Sequence, residues 1–218
     1  MRVVAIDGPA GAGKSTVARR VAVVTGLPFL DTGAMYRCVA LRSIQDGVPP
    51  GDTDAVAGIA RSVSISVRDG VTLLDGVDVS ADIRTPEVNS VVSVIATNSR
   101  VRDVMREAQR AWARSVGGGV VEGRDIGTVV FPDATVKVFL TASPEVRAAR
   151  RVAESGGDVE EVARSIAERD RIDSTRADSP LRPADGAVTV DSSGRSVDDV
   201  VDEIVGLLAN AGGRVPRV

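Results

Sequence analysis

Short apolar runs alternate along the chain with longer stretches whose apolar positions recur every three or four residues. That is the pattern of strands and crossover helices in a parallel sheet. The runs 2–7 (RVVAID), 28–31 (PFLD), 119–123 (GVVEG), 136–141 (VKVFLT) and 187–191 (AVTVD) are the expected core strands, with helices filling most of the intervals. Residues 63–84 break this rhythm: apolar and polar positions alternate with period two, and Asp69-Gly70 and Asp75-Gly76 fall between the alternating segments. Asp-Gly favours tight hairpin turns because its backbone takes positive φ. A small three-stranded antiparallel insert is expected there, with an edge meander of the main sheet as the alternative. Residues 86–116 read as helical with a polar face, and 211–218 (AGGRVPRV) as a loose tail. The fold class is therefore α/β, a five-stranded parallel sheet flanked by helices and enlarged by a small antiparallel insert.

Composition narrows what such a fold does. The 218 residues fit one domain of moderate size with an inserted subdomain. Basic and acidic residues number 27 and 30, the net charge is -3, and aromatics make up 2%. A nucleic-acid partner, which wants a basic surface and aromatic stacking platforms, is disfavoured. The single cysteine, Cys38, has no internal partner and sits among apolar helical positions, where it reads as a small buried hydrophobe. The opening apolar run is too short for a signal peptide or a membrane span, so a soluble cytoplasmic protein, without membrane partners, is expected. Histidine is absent, which removes the commonest general base and metal ligand together.

Residues 8–16, GPAGAGKST, fit G-x-x-x-x-G-K-[ST] directly after the first strand and before the amphipathic stretch KSTVARRVAVVTG. In that arrangement the backbone N–H groups of Gly8, Pro9, Ala10, Gly11, Ala12, Gly13, Lys14, Ser15 and Thr16, proline's missing one aside, wrap nucleotide phosphates. Lys14 reaches the terminal phosphates and Ser15 ligates Mg²⁺ directly. A nucleoside-triphosphate site is expected.

A phosphate loop alone does not name the acceptor. Guanine recognition by an N-K-x-D-like segment is ruled out, since the only other lysine is Lys137. A phosphate monoester, whose second pKa lies near about 6, attacks without a general base and so suits a chain lacking histidine. Two facing phosphates do need arginines to neutralise and align them. Arg37 lies in LDTGAMYR, where Asp31 or Thr32 caps a helix; Arg124 and Asp125 follow the strand GVVEG, with Glu122 or Asp125 placed to hold Mg²⁺ through water. The stripe Val159, Val162, Ile166 runs at helical spacing into Arg169 and Asp173, with Arg176 beyond. Arg147, Arg150 and Arg151 open the helix before ESGGD, a segment suited to closing over ATP as a lid.

Together IDGPAGAGKST, LDTGAMYR, the insert ending in DIRTPEV, RVRDVMREAQR, EGRDIGTVVFPDA and ERDRIDSTRADSPL resemble the bacterial cytidylate kinases over nearly the whole chain. The resemblance implies transfer of the γ-phosphoryl group of ATP to CMP or dCMP with Mg²⁺, by a monomer, within one domain over 1–218. It implies a monophosphate-binding region at 32–116, which includes the insert, and a lid at 150–170. It makes Thr32, Arg37 and Arg124 acceptor-phosphate contacts, and Ser93, Arg102 and Asp125 the cytosine-reading set. Arg169, Asp173 and Arg176 match residues that hold the ribose and the neighbouring phosphate or base edge. Lys14, Arg124, Arg151 and Arg169 are the expected catalytic cations, and Arg150 an ATP contact. Glu122, expected beside the acceptor, stands where some relatives have aspartate. The alternatives are a phosphate-loop kinase for another small acceptor, or a nucleotide-binding switch without catalysis.

Overall fold

The computed structural model describes residues 1–68 and 70–212. Its elements run β1 (Arg2–Asp7), α1 (Lys14–Thr25), β2 (Phe29–Asp31), α2 (Thr32–Gln45), α3 (Thr53–Ser62), β3 (Ile65–Arg68), β4 (Val71–Leu74) and β5 (Val77–Asp78). They continue with α4 (Pro86–Ile95), α5 (Ser99–Val116), β6 (Gly118–Gly123), β7 (Val136–Thr141), α6 (Pro144–Ser155), α7 (Val159–Thr175), β8 (Val188–Asp191) and α8 (Val197–Asn210). The chain falls into two units, one made of residues 1–29 with the part from Ala113 onward, the other of residues 30–112.

The first unit is built on a sheet ordered β2-β6-β1-β7-β8. Its central strand, β1, pairs in parallel with β6 and β7, and β7 with β8. Residues 3–7 of β1 are all buried, which is why the strand reads as a continuous apolar run and not as an alternation. Val4, Ile6, Val17, Val21, Val138, Leu140, Ile204 and Leu208 form the core that joins the sheet to α1 and α8. Gly26, in the left-handed region at φ 65, ends α1, and Leu27 N–H donates to the Ala22 carbonyl to close the last turn. The five expected strands are all present, each within a residue or so of its expected bounds.

In the second unit, β3, β4 and β5 form a separate antiparallel sheet, so the insert is not an edge meander of the main one. At its second turn Asp75 and Gly76 both take positive φ, 51 and 83, as a two-residue hairpin requires. Gly70 of the first turn is also positive, at φ 83, while Asp69 lies outside the described residues. The stretch 86–116 is two helices and not one. Asn98 divides it: its Oδ1 accepts from the N–H groups of Arg100 (3.1 Å) and Val101 (3.4 Å) at the start of α5, and its Nδ2 donates to the Thr53 carbonyl at 2.8 Å. Residues 213–218 of the expected tail lie outside the described residues. Among the described residues no helix is long and apolar enough to cross a membrane.

Candidate active site

The loop 8–13 leaves the C-terminal end of β1, the central strand of an open parallel sheet, where such sheets bind ligands. A Cβ on Gly8 would overlap the carbonyl of Leu140 in neighbouring β7, so only glycine lets the loop start there. Lys14 is buried at the start of α1, and its Nζ donates to the Pro9 carbonyl at 2.7 Å. Ser15 and Thr16 follow on an exposed face. The helix N-terminus and the preceding loop thus form a concavity of backbone donors with one ammonium held inside it.

Asp7, the last residue of β1, joins this loop to a second one. Its carboxylate accepts from the N–H groups of Ile126 (2.8 Å) and Gly127 (2.7 Å), at the start of a π turn over Ile126–Val130. The segment carrying Arg124 and Asp125 is thereby fastened to the strand that launches the phosphate loop. Burial lifts the Asp7 carboxyl to about 6 from an ordinary 3.8, although both backbone hydrogen bonds oppose the rise. Its stabilising contribution is therefore complete below pH 3.8 and is lost as pH climbs through about 6, a change of roughly 3 kcal/mol. The unfolding free energy of the native chain minus that of Asp7→Asn should fall between about pH 4 and pH 6.5. Denaturant titrations across that range check this, and a difference independent of pH would refute it.

Charges of both signs crowd the same unit. Arg124 Nε donates to Asp173 Oδ2 at 2.8 Å, and Arg176 Nη1 lies 3.5 Å from the other oxygen of that carboxylate. Arg176 also places Nη2 4.0 Å from Asp125 Oδ1 and donates from Nε to the Ser179 carbonyl at 2.7 Å. Of the expected stripe Val159 is exposed and Ile166 buried; Asp173, seven residues beyond Ile166 on α7, is buried too, so the inward face does pass from apolar to charged. Burial disfavours the Asp173 carboxylate, but the charge and hydrogen bond of Arg124, with Arg169 and Arg176, outweigh it and hold the carboxyl below its ordinary range. Burial likewise opposes the Arg124 guanidinium and is outweighed by Asp173, which raises it. Lys14 is pushed well below its ordinary value by burial first, then by the charges of Arg124 and Arg169, against the pull of Glu122 and Asp173. Glu122, near the end of β6, is buried.

Of the three arginines on α6, two reach the phosphate loop. Arg147 Nη1 donates to the Ala10 carbonyl at 3.2 Å. Arg150 donates from Nη1 to Ser192 Oγ (2.9 Å) and to the Ala12 carbonyl (3.3 Å), and from Nη2 to the Ser192 carbonyl (2.8 Å). Ser192 Oγ in turn lies 3.1 Å from the Ala12 carbonyl and 3.0 Å from that of Thr141, either of which can take its proton. Beside this knot is a cavity of about 270 Å³ lined by Gly13, Thr16, Arg150, Glu154, Ser192 and Arg195, among others. Arg151 pairs instead with Glu154 of its own helix, at 3.2 Å.

The remaining expected site residues belong to the second unit. Asp31, not Thr32, caps α2, accepting from Ala34 N–H at 3.0 Å and pairing with Arg84 at 3.1 Å. Thr32 is buried as the first residue of the helix. Arg37 is buried and donates from Nη1 to the Ile83 carbonyl (3.0 Å) and to Asn89 Oδ1 (2.6 Å). Arg102, on α5, is buried, donates to the Ala96 carbonyl at 3.0 Å and lies over the Tyr36 ring of α2, 5.8 Å from its centroid. Ser93 is half-buried on α4, and no side-chain hydrogen bond engages it among the described residues. Cys38 is buried, which pushes its thiol up to about 12 and removes it as a nucleophile.

Sequence reasoning did not single out Asp7, Asp170 or Ser192. Asp7 and Ser192 act on backbone groups more than 100 residues away in the chain, and only Asp7's place beside the loop was a hint.

The sequence model of the family described as "Cytidylate kinase" matches residues 4–210. The chain is 48% identical over 212 residues to a cytidylate kinase of Desulforamulus reducens, covering 94% of this chain and 95% of that one. It is 49% identical to a cytidylate kinase of Pelotomaculum thermopropionicum, with 93% of each covered. Among solved structures, TT1252 from Thermus thermophilus aligns with a TM-score of 0.53 at 20% identity over 97% of this chain and 98% of that one, a likeness of fold alone.

Proposed function

The chain belongs to the cytidylate kinase family, nucleoside monophosphate kinases that transfer the γ-phosphoryl group of ATP to CMP or dCMP, and from that premise we propose how its residues divide the work. The observation that carries the proposal is a buried Lys14 at the head of α1, bonded to the Pro9 carbonyl inside the phosphate loop, in the unit that also holds the Arg124–Asp173–Arg176 cluster; burial first, then the charges of Arg124 and Arg169, push its ammonium well down. Cations held together against their own repulsion are a site that a polyphosphate relieves.

Gly8, Pro9, Ala10, Gly11, Ala12, Gly13, Lys14, Ser15 and Thr16 take the ATP phosphates, and Arg150, braced by Ser192, borders the nucleoside cavity. Thr32, Arg37 and Arg124 hold the acceptor phosphate. Ser93, Arg102 and Asp125 read cytosine, whose amino donor suits a carboxylate and whose carbonyl suits a guanidinium. Arg169, Asp173 and Arg176 hold the ribose and the adjoining phosphate or base edge. Residues 32–116 serve the monophosphate, and 150–170 close as a lid that brings Arg151 to the transferring group.

Among the described residues no cluster of acids forms a cage for a metal ion. That fits Mg²⁺ arriving with the nucleotide, bound by the exposed Ser15 hydroxyl and, through water, by buried Glu122. When bound there it neutralises phosphate charge. The acceptor oxygen attacks in line with no covalent intermediate, because a phosphate dianion needs no base to remove a proton. The protein acts as a cytoplasmic monomer and has no nucleic-acid or membrane partner.

The test is ADP formation from ATP and Mg²⁺ with CMP, dCMP, UMP, AMP and GMP supplied one at a time. CMP and dCMP should be consumed fastest, with UMP slower because its carbonyl would face Asp125 unpaired. Activity on another acceptor with none on CMP or dCMP would overturn the cytosine assignment.

A further inference from the structure

We propose that Asp170 is a positioning residue of phosphoryl transfer, fixing α7 on the phosphate loop so that Arg169 beside it keeps its register against Lys14. The inference rests on the roles given above to Lys14 and Arg169.

Both backbone polar groups of Ala10 are taken by side chains of α6 and α7. Its N–H donates to Asp170 Oδ1 at 3.2 Å, and its carbonyl accepts from Arg147 Nη1 at 3.2 Å. Asp170 and Arg147 pair with one another, which closes a ring of loop, α6 and α7. At the next residue the contact is steric: Gly11 takes φ +73, and a Cβ there would press on the Arg147 Cβ and carbonyl oxygen at 3.0 Å. The loop therefore sits directly on the first turns of α6, with α7 bolted on through one carboxylate.

Helix geometry converts this bolt into control of Arg169. Asp170 and Asp173 are neighbours one turn apart on α7. The first is tied to Ala10 and the second to Arg124, so both the rotation and the height of the helix are set around Arg169. The charge of Arg169 is felt at Lys14, and that of Asp170 at Arg124. A shift of about 1 Å at such a charge costs up to about 100-fold in rate. The competing role is occlusion: a carboxylate on a loop N–H resembles a phosphate oxygen and would then have to leave when ATP binds. Arg147 argues against it, because the other oxygen of the aspartate is held by a cation that also grips the Ala10 carbonyl.

The experiment compares the native chain with Asp170→Ala and Asp170→Asn, each also in an Arg169→Ala background, by steady-state kinetics, ATP titration and thermal unfolding. Asp170→Ala should lower kcat by about 10- to 100-fold and move the KM for CMP by less than about threefold. Asp170→Asn keeps an acceptor for Ala10 without the charge and should fall between. In the Arg169→Ala background the same change should cost less than about twofold more, since the residue acts through that arginine. An unchanged kcat in both variants would overturn the proposal, as would a loss equally large in the Arg169→Ala background. Tighter ATP binding at native kcat would overturn it in favour of occlusion. A native chain that makes no ADP from CMP would instead refute the assignment of Lys14 and Arg169.

Discussion

Lys14→Met should lose phosphoryl transfer by roughly 10²- to 10³-fold while making the nucleotide-free protein harder to unfold. The kinetic half follows from where the ammonium stands, inside the backbone concavity and under the charges of Arg124 and Arg169. Nothing else in the loop carries a positive charge, and a methionine of similar volume stabilises none that develops on the transferring group. The stability half follows from the sign of its shift. A lysine held below its ordinary 10.5 is disfavoured in the fold wherever it is charged, so its removal relieves the native state at neutral pH. A gain is expected at pH 7, fading above the ordinary lysine range, where the unfolded chain is neutral too. The stabilisation conferred by ADP should shrink in the variant, because its anion then meets fewer unrelieved cations. Thermal unfolding at pH 7 with and without ADP, beside kcat on CMP, tests both halves. A variant less stable than the native chain would mean that the loop is held by Lys14 through the Pro9 carbonyl more than it is strained by the charge.

The parts of this design that were legible in the sequence are those written in local chemistry. The run RVVAID followed by GPAGAGKST fixes a strand, a turn that only glycine can start, and a helix, within 25 residues of one another. Asp75-Gly76 declares its hairpin because two successive residues must take positive φ. The stripe on α7 was readable into Asp173 because helical spacing persists through the last turn. The break between α4 and α5 was not readable: Ala96, Thr97 and Asn98 are compatible with a helix, and what ends it is the Asn98 side chain reaching Thr53 across the unit. Asp170 was silent, and Asp7 nearly so, for a similar reason. Their partners are N–H groups 119 and 160 residues away, and a backbone donor leaves no mark on residue type. Arginine carried little signal by itself in a chain with so few lysines. Burial separates Arg124 and Arg176, engaged with Asp173, from Arg171, which only pairs with exposed Glu168 on the same helix.

Asp173→Ala should be among the most destabilising single changes in the chain, by about 3–5 kcal/mol at pH 7. The carboxylate is 4% exposed and is the partner of Arg124 and, across its other oxygen, of Arg176. Truncating it leaves buried Arg176 and half-buried Arg124 without the carboxylate that offsets their desolvation, which is costlier than never having had the cluster. The pH dependence carries the same signature. Asp173 is held below its ordinary 3.8, so its contribution is present above that value and is lost as pH falls through the lower folded value. The gap between native and variant stability should therefore be flat from neutrality to about pH 5 and should close only in strong acid. A phosphate on the same guanidiniums is an alternative partner for the lost carboxylate. Inorganic phosphate, which has neither the ribose nor the base edge assigned to Asp173, should accordingly raise the melting temperature of Asp173→Ala by more than it raises that of the native chain. Equal shifts with phosphate would separate Arg124 from the acceptor phosphate, and a variant as stable as the native chain at pH 7 would show that Asp173 neutralises nothing the fold needs neutralised.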